Sequence, residues 1–346
     1  MKGPTTCSSG SSAAFSYVKL HFPPATKPNY TPAIYPLTTS NPPQHPLIHL
    51  GFAIEFTQPA LLAEALAQTA VHDAWLHDLL LPTENLASTR RRAHEPATSA
   101  LDLLTRLRQN PEIISAPQWS DGNKLREGLV RRVPDALADA LAQYRLPASP
   151  TRRDLQAANA ELTQLVAYFT GCAQRPGKVC KLDFFLMHCL NSSVFLPSIL
   201  GLEFLEAEDK GRLLEWKARV DLALYVSRGS PGLNAGRVKE YVSEEGVRGW
   251  GELFERVREI ADDGHLAKVV RALAHGERVC AEWEGREEGE RWVLKGEDWL
   301  RLGNLAVDSV EAGGPTWVRS AGFEEAWKEV PDLESEGEKG KRGSRG

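Results

Sequence analysis

Four histidines in three separate segments, with a lysine one helical turn beyond the last of them, are the residues of this sequence best suited to chemistry. His45 and His49 lie in HPLIHLG, His188 ends DFFLMH, and His265 and Lys268 lie in DGHLAK. Histidines from separate segments can converge to hold a transition metal. The pattern therefore predicts a metal site, and an oxidative metalloenzyme rather than a plain helical scaffold.

The spacing within these segments indicates how the side chains are presented. His45 and His49 are four residues apart, which places both on one face of a continuous helix. Pro46 disfavours helical geometry at His45, so we expect Pro46 at the first helical position and His45 at the cap. Lys268 follows His265 by three residues on one predicted helix.

Lys268 also has a chemistry of its own. A lysine amine buried beside a metal has a depressed pKa and can be neutral. A neutral amine can react with carbon dioxide to give a carbamate, an anion that donates oxygen to a metal. Asp262 and Asp263 are competing carboxylates, and His72 is a reserve ligand. Taken singly, each residue also fits a structural role, as a buried core histidine or a solvated surface group.

Helical periodicity dominates the sequence between residues 59 and 311. The first predicted helix begins at a proline, which suits the first helical position. Helices are predicted over 59–80, 154–171, 182–193, 207–227, 248–261, 264–284 and 296–311. Because no run of alternating strands is found, the predicted fold class is mostly α, a single large helical domain with the metal site between helices.

The two ends of the chain differ from this helical middle. Residues 1–40 are rich in proline and predict an irregular N-terminal arm. Residues 326–346 are charged and rich in glycine towards the end, and predict a disordered tail. The helical domain is therefore expected over residues 41–325.

Composition excludes several classes of protein. The net charge of −5 gives no reason to expect a nucleic-acid partner, and no apolar stretch is long enough for a membrane span. The five cysteines are odd in number and form no CxxC pair, which argues against a disulfide framework. We therefore expect a soluble protein with cytoplasmic localisation.

Five blocks occur in an order that resembles the questin oxidase-like family, fungal proteins of polyketide pathways. The blocks are HPLIHLGFAIEF, ALAQTAVHD, KLDFFLMHCLNSSVFLP, DDGHLAKVVRALAHGE and WLRLGNLAVDSVE. The resemblance implies an oxidoreductase that opens an anthraquinone-type ring by dioxygenase or Baeyer–Villiger-like chemistry, with an aromatic polyketide and dioxygen as partners. It also implies non-haem Fe(II), with NADPH as a reductant. The implied metal ligands are His45, His49, His188, His265 and Lys268, the last as a carbamate with a catalytic role.

Further residues are candidates for the surroundings of such a site. Aromatic walls suit a flat polyketide, and carboxylate or amide groups can orient metal ligands. The wall candidates are Phe52, Phe184, Phe185, Phe195 and Trp299, and the orienting candidates are Asp183, Asn304 and Asp308.

Three rival interpretations remain open at this stage. A nucleotide-dependent enzyme with a bound dinucleotide is disfavoured because no GxGxxG follows a strand. A metal-dependent hydrolase would carry zinc and an uncommitted carboxylate where the oxygenase carries Lys268. A helical interaction protein without catalysis predicts that the three histidine segments do not converge.

Overall fold

The computed structural model describes residues 45–71, 75–243, 245–285 and 292–333, and of His45 and Val71 it describes the backbone alone. These residues form fourteen α-helices, and no sheet is present in them beyond two isolated bridges. The helices are α1 His45–Glu55, α2 Pro59–Val71, α3 His77–Arg92, α4 Ala100–Gln109, α5 Pro111–Ser115, α6 Pro134–Leu141, α7 Arg152–Cys172, α8 Phe184–Ser193, α9 Leu196–Leu200, α10 Ala207–Ser227, α11 Ala235–Lys239, α12 Trp250–Glu259, α13 His265–Glu284 and α14 Glu297–Glu311. A π-helical segment spans Lys124–Val130 and a 3₁₀ turn spans Glu324–Trp327.

The centre of the domain is built from α7, α8, α10 and α13. Helix α7 contacts the other three, and α8 lies against both α10 and α13. Helix α8 is buried on most sides, as its sequence FFLMHCL requires. Its start is fixed by Asp183, whose side chain accepts hydrogen bonds from the N–H groups of Phe185 and Leu186.

Helices α1 and α2 pack against each other, and α1 lies against α8 and α9. Gly51 of α1 allows this approach, because a Cβ atom there would lie 2.1 Å from Cγ of Phe195. The ring of Phe52 meets the Phe195 ring edge-on at 4.8 Å. Glu55 at the end of α1 forms an ion pair with Arg271 of α13. These contacts bring the first histidine segment towards the helices that carry the other two.

The predicted helices agree with the structure except at one place. Six of them correspond to α7, α8, α10, α12, α13 and α14, and the predicted bounds 207–227 are those of α10. The single helix predicted over 59–80 is wrong. Helix α2 spans Pro59–Val71, a turn lies at Trp75 and Leu76, and α3 begins at His77. The apolar pattern continues across the turn because both turn residues are buried.

The predicted boundary at the C-terminal end also needs correction. Residues 326–333, assigned from sequence to the charged tail, pack against the domain instead. Trp327 and Val330 are buried, and Leu333 N–H donates to the carbonyl of Gly177. Residues 334–346 and the arm predicted over 1–40 lie outside the described residues.

Two further sequence expectations can be compared with the described residues. Their four cysteines, Cys172, Cys180, Cys189 and Cys280, are all free and buried, while Cys7 lies outside them. Within the same ranges, none of the helices combines the length and the apolar character that a bilayer crossing requires.

Candidate functional site

Three of the predicted site residues line one cavity. His49 reaches it from α1, His188 from α8 and Lys268 from α13. The cavity has a volume of about 190 Å³. The rest of its wall is mainly apolar and consists of Ile48, Phe52, Leu61 and Asn191. Segments that are far apart in sequence therefore place two imidazoles and an amine around a common space.

His265 joins this group from the first residue of α13. Its ring centroid lies 5.3 Å from that of His188, and the Phe184 ring lies beside both, at 4.8 Å from His188 and 5.2 Å from His265. Gly264 has a φ of 82° and turns the chain into the helix at this point. His265 thus packs against a cavity-lining histidine without lining the cavity itself.

His45 is placed only by its backbone. It is the first assigned residue of α1, one turn before His49 and next to Pro46. The helix therefore includes His45, and the prediction that Pro46 takes the first helical position with His45 at the cap is wrong. The His45 side chain lies outside the described residues, as does all of His72, the reserve ligand. The structure therefore brings together His49, His188, His265 and Lys268 and leaves the position of the His45 imidazole open.

Hydrogen bonding determines which nitrogen of His188 carries the proton. Its Nδ1 lies 2.6 Å from the carbonyl oxygen of Phe184. A carbonyl oxygen can only accept, so Nδ1 must be the donor, and the neutral ring then keeps its lone pair on Nε2. Anchoring of Nδ1 by a protein oxygen is the usual arrangement for a histidine that binds a metal through Nε2.

His265 lies against an acidic neighbour. Its Nδ1 lies 2.6 Å from Oδ1 of Asp263. Burial acts to raise the pKa of Asp263, but the contact with His265 and the charge of Lys268 outweigh burial and lower this pKa. Asp262 has a different role, because it caps the start of α13 by accepting from the N–H groups of Gly264 and Leu266.

His49 is held less firmly than the other two described histidines. Its Nδ1 lies 3.4 Å from Oε1 of Glu64 and 3.5 Å from Nε2 of Gln68. Gln68 also donates to Glu64 at 3.1 Å. Only the carboxylate contact requires a proton on Nδ1, so the tautomer of His49 is not fixed by a single short bond.

Lys268 has no direct hydrogen bond or ion pair with another described residue, although its charge acts on Asp263. Its side chain is half-buried and lines the cavity beside His49 and His188. An amine in this position can react with a small electrophile without first breaking an ion pair.

The described side chains do not form a complete metal site. Within the part of the chain that the structure describes, no three His, Cys, Asp or Glu side chains stand close enough together to hold a metal ion. This statement concerns neither Lys268, because lysine is not among those four residue types, nor His45, whose side chain lies outside the described residues. The chemistry of the donors fits a transition metal, since two of the histidines have Nδ1 within 2.6 Å of a protein oxygen.

The predicted aromatic wall is correct in part. Phe52 lines the cavity, Phe195 lines a small adjoining pocket, and Phe184 packs against both His188 and His265. Phe185 instead lies under the guanidinium of Arg228. Trp299 is fully buried, and its Nε1–H donates to Glu284, so it belongs to the core rather than to the cavity.

The predicted orienting residues have structural roles. Asp183 caps α8, as described above, and also accepts from the N–H of Ala321. Asn304 donates to the carbonyls of Val247 and Leu300. Asp308 accepts from Tyr241 and pairs with Arg256. None of the three has a recorded contact with the described side chains of His49, His188 or His265.

Several residues near the site were not identified from the sequence. Asn191 lies one turn after His188, and the helical spacing of α8 could have indicated it. The Trp317 ring meets the His265 ring edge-on at 6.5 Å, and the Arg319 guanidinium lies 3.9 Å from the centre of the Phe184 ring. These two come from the segment after α14, and no local pattern connects them with the histidines.

The sequence that forms this cavity matches a recognised protein family. Residues 44–273 match the questin oxidase-like family. That range contains every predicted ligand, from His45 to Lys268. The chain belongs to the questin oxidase-like family.

Individual relatives give the same assignment. The Baeyer-Villiger oxidase AgnL3 of Paecilomyces divaricatus is 40% identical over 308 residues, which cover 85% of this chain and 64% of the relative. The Baeyer-Villiger monooxygenase dmxR6 of Cryptosporiopsis is 39% identical, over 84% of this chain and 65% of the relative. The questin oxidase of Aspergillus fumigatus is 37% identical, over 83% of this chain and 65% of the relative. The chain thus spans 64% to 65% of the length of these curated relatives.

Proposed function

We propose that this chain is an oxidoreductase of fungal polyketide metabolism that opens an anthraquinone-type aromatic ring with the help of non-haem Fe(II). One observation carries the proposal, namely the cavity shared by His49, His188 and Lys268 with His265 packed against His188. Convergence of imidazoles and an amine from separate helices is expected of a functional site rather than of a plain core. The names of the relatives supply the reaction class.

The metal would be held by the histidines of all three segments. In this proposal the ligands are His45, His49, His188 and His265, with Lys268 as a carbamate. Imidazole nitrogens with a single oxygen anion suit Fe(II) better than magnesium or calcium. Bound iron would supply the activation of dioxygen. NADPH belongs to the proposal only as a diffusible reductant, because no GxGxxG segment is found in the sequence.

The protein's own side chains would bind and orient the substrate. Ile48, Phe52 and Leu61 give the cavity an apolar wall that would favour a flat aromatic ring and exclude water. The hydrogen bond between His188 and the Phe184 carbonyl would hold one imidazole in a single tautomer. In this arrangement the substrate lies against the apolar wall with its reacting carbon towards the histidines.

The geometry supports an oxygenase over a metal-dependent hydrolase. The hydrolase needs an uncommitted carboxylate beside the metal to act as general base. The three carboxylates described near the histidines all have partners: Glu64 lies near His49 and Gln68, Asp263 contacts His265, and Asp262 caps α13. Lys268 occupies the cavity wall instead. The convergence of the segments likewise disfavours an interaction protein with incidental histidines.

Metal content tests the proposal directly. Protein purified without oxygen or chelators is expected to contain about one iron per chain. His188→Ala and His265→Ala should each lose most of this iron and keep the helical circular dichroism of the wild type. His94→Ala is a matched control, because His94 is exposed and lies outside the site. Zinc at the same level would support the hydrolase, and protein that binds no iron even when Fe(II) is supplied would refute the metal site.

A further inference from the structure

Asn191 is a buried polar residue that faces the candidate site. It lies on α8, three residues after His188, and the residue is only 4% exposed. It lines the same cavity as His49, His188 and Lys268, and also the adjoining pocket beside Phe195. A polar group with so little exposure needs hydrogen-bond partners, since burial without them is unfavourable.

The carboxamide of Asn191 is satisfied on one side only. Its Nδ2 lies 3.3 Å from the thioether sulfur of Met187, while Oδ1 is buried without a hydrogen-bond partner among the described residues. Rotating the amide by half a turn would not help, because a thioether sulfur has no hydrogen to donate to the oxygen. The cavity wall therefore carries a buried acceptor to which none of the described residues donates.

The chemistry of the wall limits what this donor is. The neighbouring surface is apolar at Ile48, Phe52 and Leu61, which favours an aromatic ring over a charged group. A ring hydroxyl is a neutral donor compatible with that wall. Water can satisfy Oδ1 while the cavity is empty of ligand, and a hydroxyl that replaces this water keeps its hydrogen bond.

We propose that Asn191 is a substrate-positioning residue whose carboxamide oxygen accepts a hydrogen bond from a phenolic hydroxyl of the bound aromatic substrate. This inference rests on the proposed function and specifies its substrate class as hydroxylated ring systems. Because Asn191 follows His188 by one turn of α8, the hydroxyl bound to it would fix the rotation of the ring relative to that histidine.

Binding measurements with two matched compounds test this role. One is an anthraquinone with a hydroxyl far from the quinone carbonyls, so that the hydroxyl has no internal acceptor. In the other, a methyl group of similar size replaces that hydroxyl. The full-length chain is titrated anaerobically with each compound, at a pH where the hydroxyl keeps its proton. The wild type should bind the hydroxyl compound on the order of tenfold more tightly.

Variants locate the origin of this preference. Asn191→Leu, which keeps the branched shape of the side chain and removes the acceptor, should bind both compounds with nearly equal Kd. Asn159→Leu is the matched control, because Asn159 is also buried with an unpartnered Oδ1 but does not line the cavity, and it should keep the wild-type preference. If Asn191→Leu fails to fold by circular dichroism, Asn191→Ala, which also lacks the acceptor, carries the same expectation.

The outcomes separate this inference from the proposed function. An undiminished hydroxyl preference in Asn191→Leu would overturn the role of Asn191 and leave the oxidoreductase proposal standing. Wild-type protein that binds neither compound would overturn the proposed substrate class itself. Loss of iron from Asn191→Leu, with wild-type iron in Asn159→Leu, would make the carboxamide a metal ligand and overturn its assignment as a hydroxyl acceptor.

Discussion

Replacement of Asp263 by alanine should weaken metal binding while leaving the fold almost unchanged. Oδ1 of Asp263 lies 2.6 Å from Nδ1 of His265, so the variant removes the carboxylate that contacts this ring. Loss of such a partner lowers metal affinity by about 10- to 100-fold, or about 1.4 to 2.7 kcal/mol. The Asp263 side chain is 61% exposed, and solvent screening therefore places the expected loss near the lower limit.

The neighbouring aspartate provides a control with the opposite outcome. Asp262 accepts from the N–H groups of Gly264 and Leu266 at the start of α13 and has no contact with the His265 ring among the described interactions. Asp262→Ala should therefore lose about 1 kcal/mol of unfolding free energy and retain most of its metal affinity. Asp263→Asn keeps an oxygen beside Nδ1 without the negative charge. Its iron affinity should fall between the affinities of Asp263→Ala and the wild type.

The assay is an anaerobic Fe(II) titration in competition with a coloured chelator, together with urea unfolding of the same preparations. We expect Asp263→Ala to change the affinity more than the stability, and Asp262→Ala to do the reverse. Equal iron affinity in the wild type and in Asp263→Ala would refute the argument that His265 binds metal through Nε2 with Asp263 behind it.

Two further predictions concern stability. Asp183→Ala leaves three backbone N–H groups without their buried acceptor and should lower the unfolding free energy by about 3 to 5 kcal/mol. Asp154→Ala, at the more exposed capping box of α7, should lose only about 1 kcal/mol in the same urea experiment. Similar losses in the two variants would contradict this account of α8. Burial and two nearby arginine charges lower the pKa of His275 from 6.5 to about 4, so between these pH values the unfolded chain binds more protons and stability rises with pH. Since His275 is only partly buried, its contribution to the rise in unfolding free energy is about 1 to 2 kcal/mol. In His275→Gln the unfolding free energy gained between these pH values should be smaller by that amount.

The sequence was sufficient for the parts of the site that depend on local helical spacing. His265 and Lys268 lie one turn apart on α13 as predicted, and the bounds of α10 are the predicted ones. The prediction from local spacing was wrong at the turn between α2 and α3. Trp75 and Leu76 in this turn are buried, so the apolar pattern continues there as it would in a helix.

Long-range packing was not predictable in the same way. Nothing in the sequence near Trp317 or Arg319 connects these residues with the histidines, yet they reach His265 and Phe184. Asp308 and Asn304 have polar side chains of suitable chemistry, but the packing of α14 directs them to other partners. Residue type states what a side chain is able to bind, whereas tertiary contacts decide what it meets.

The position of α1 shows how packing and chemistry depend on each other in this fold. His188 and His265 are brought together by the contact of α8 with α13, which large apolar surfaces hold in place. His49 joins them only because Gly51 lets α1 lie close to Phe195 and because Glu55 pairs with Arg271. A side chain at position 51 would separate α1 from α9 and move His49 while the core histidines stay together. The glycine two residues after His49 is therefore as much a part of the candidate site as the histidine itself.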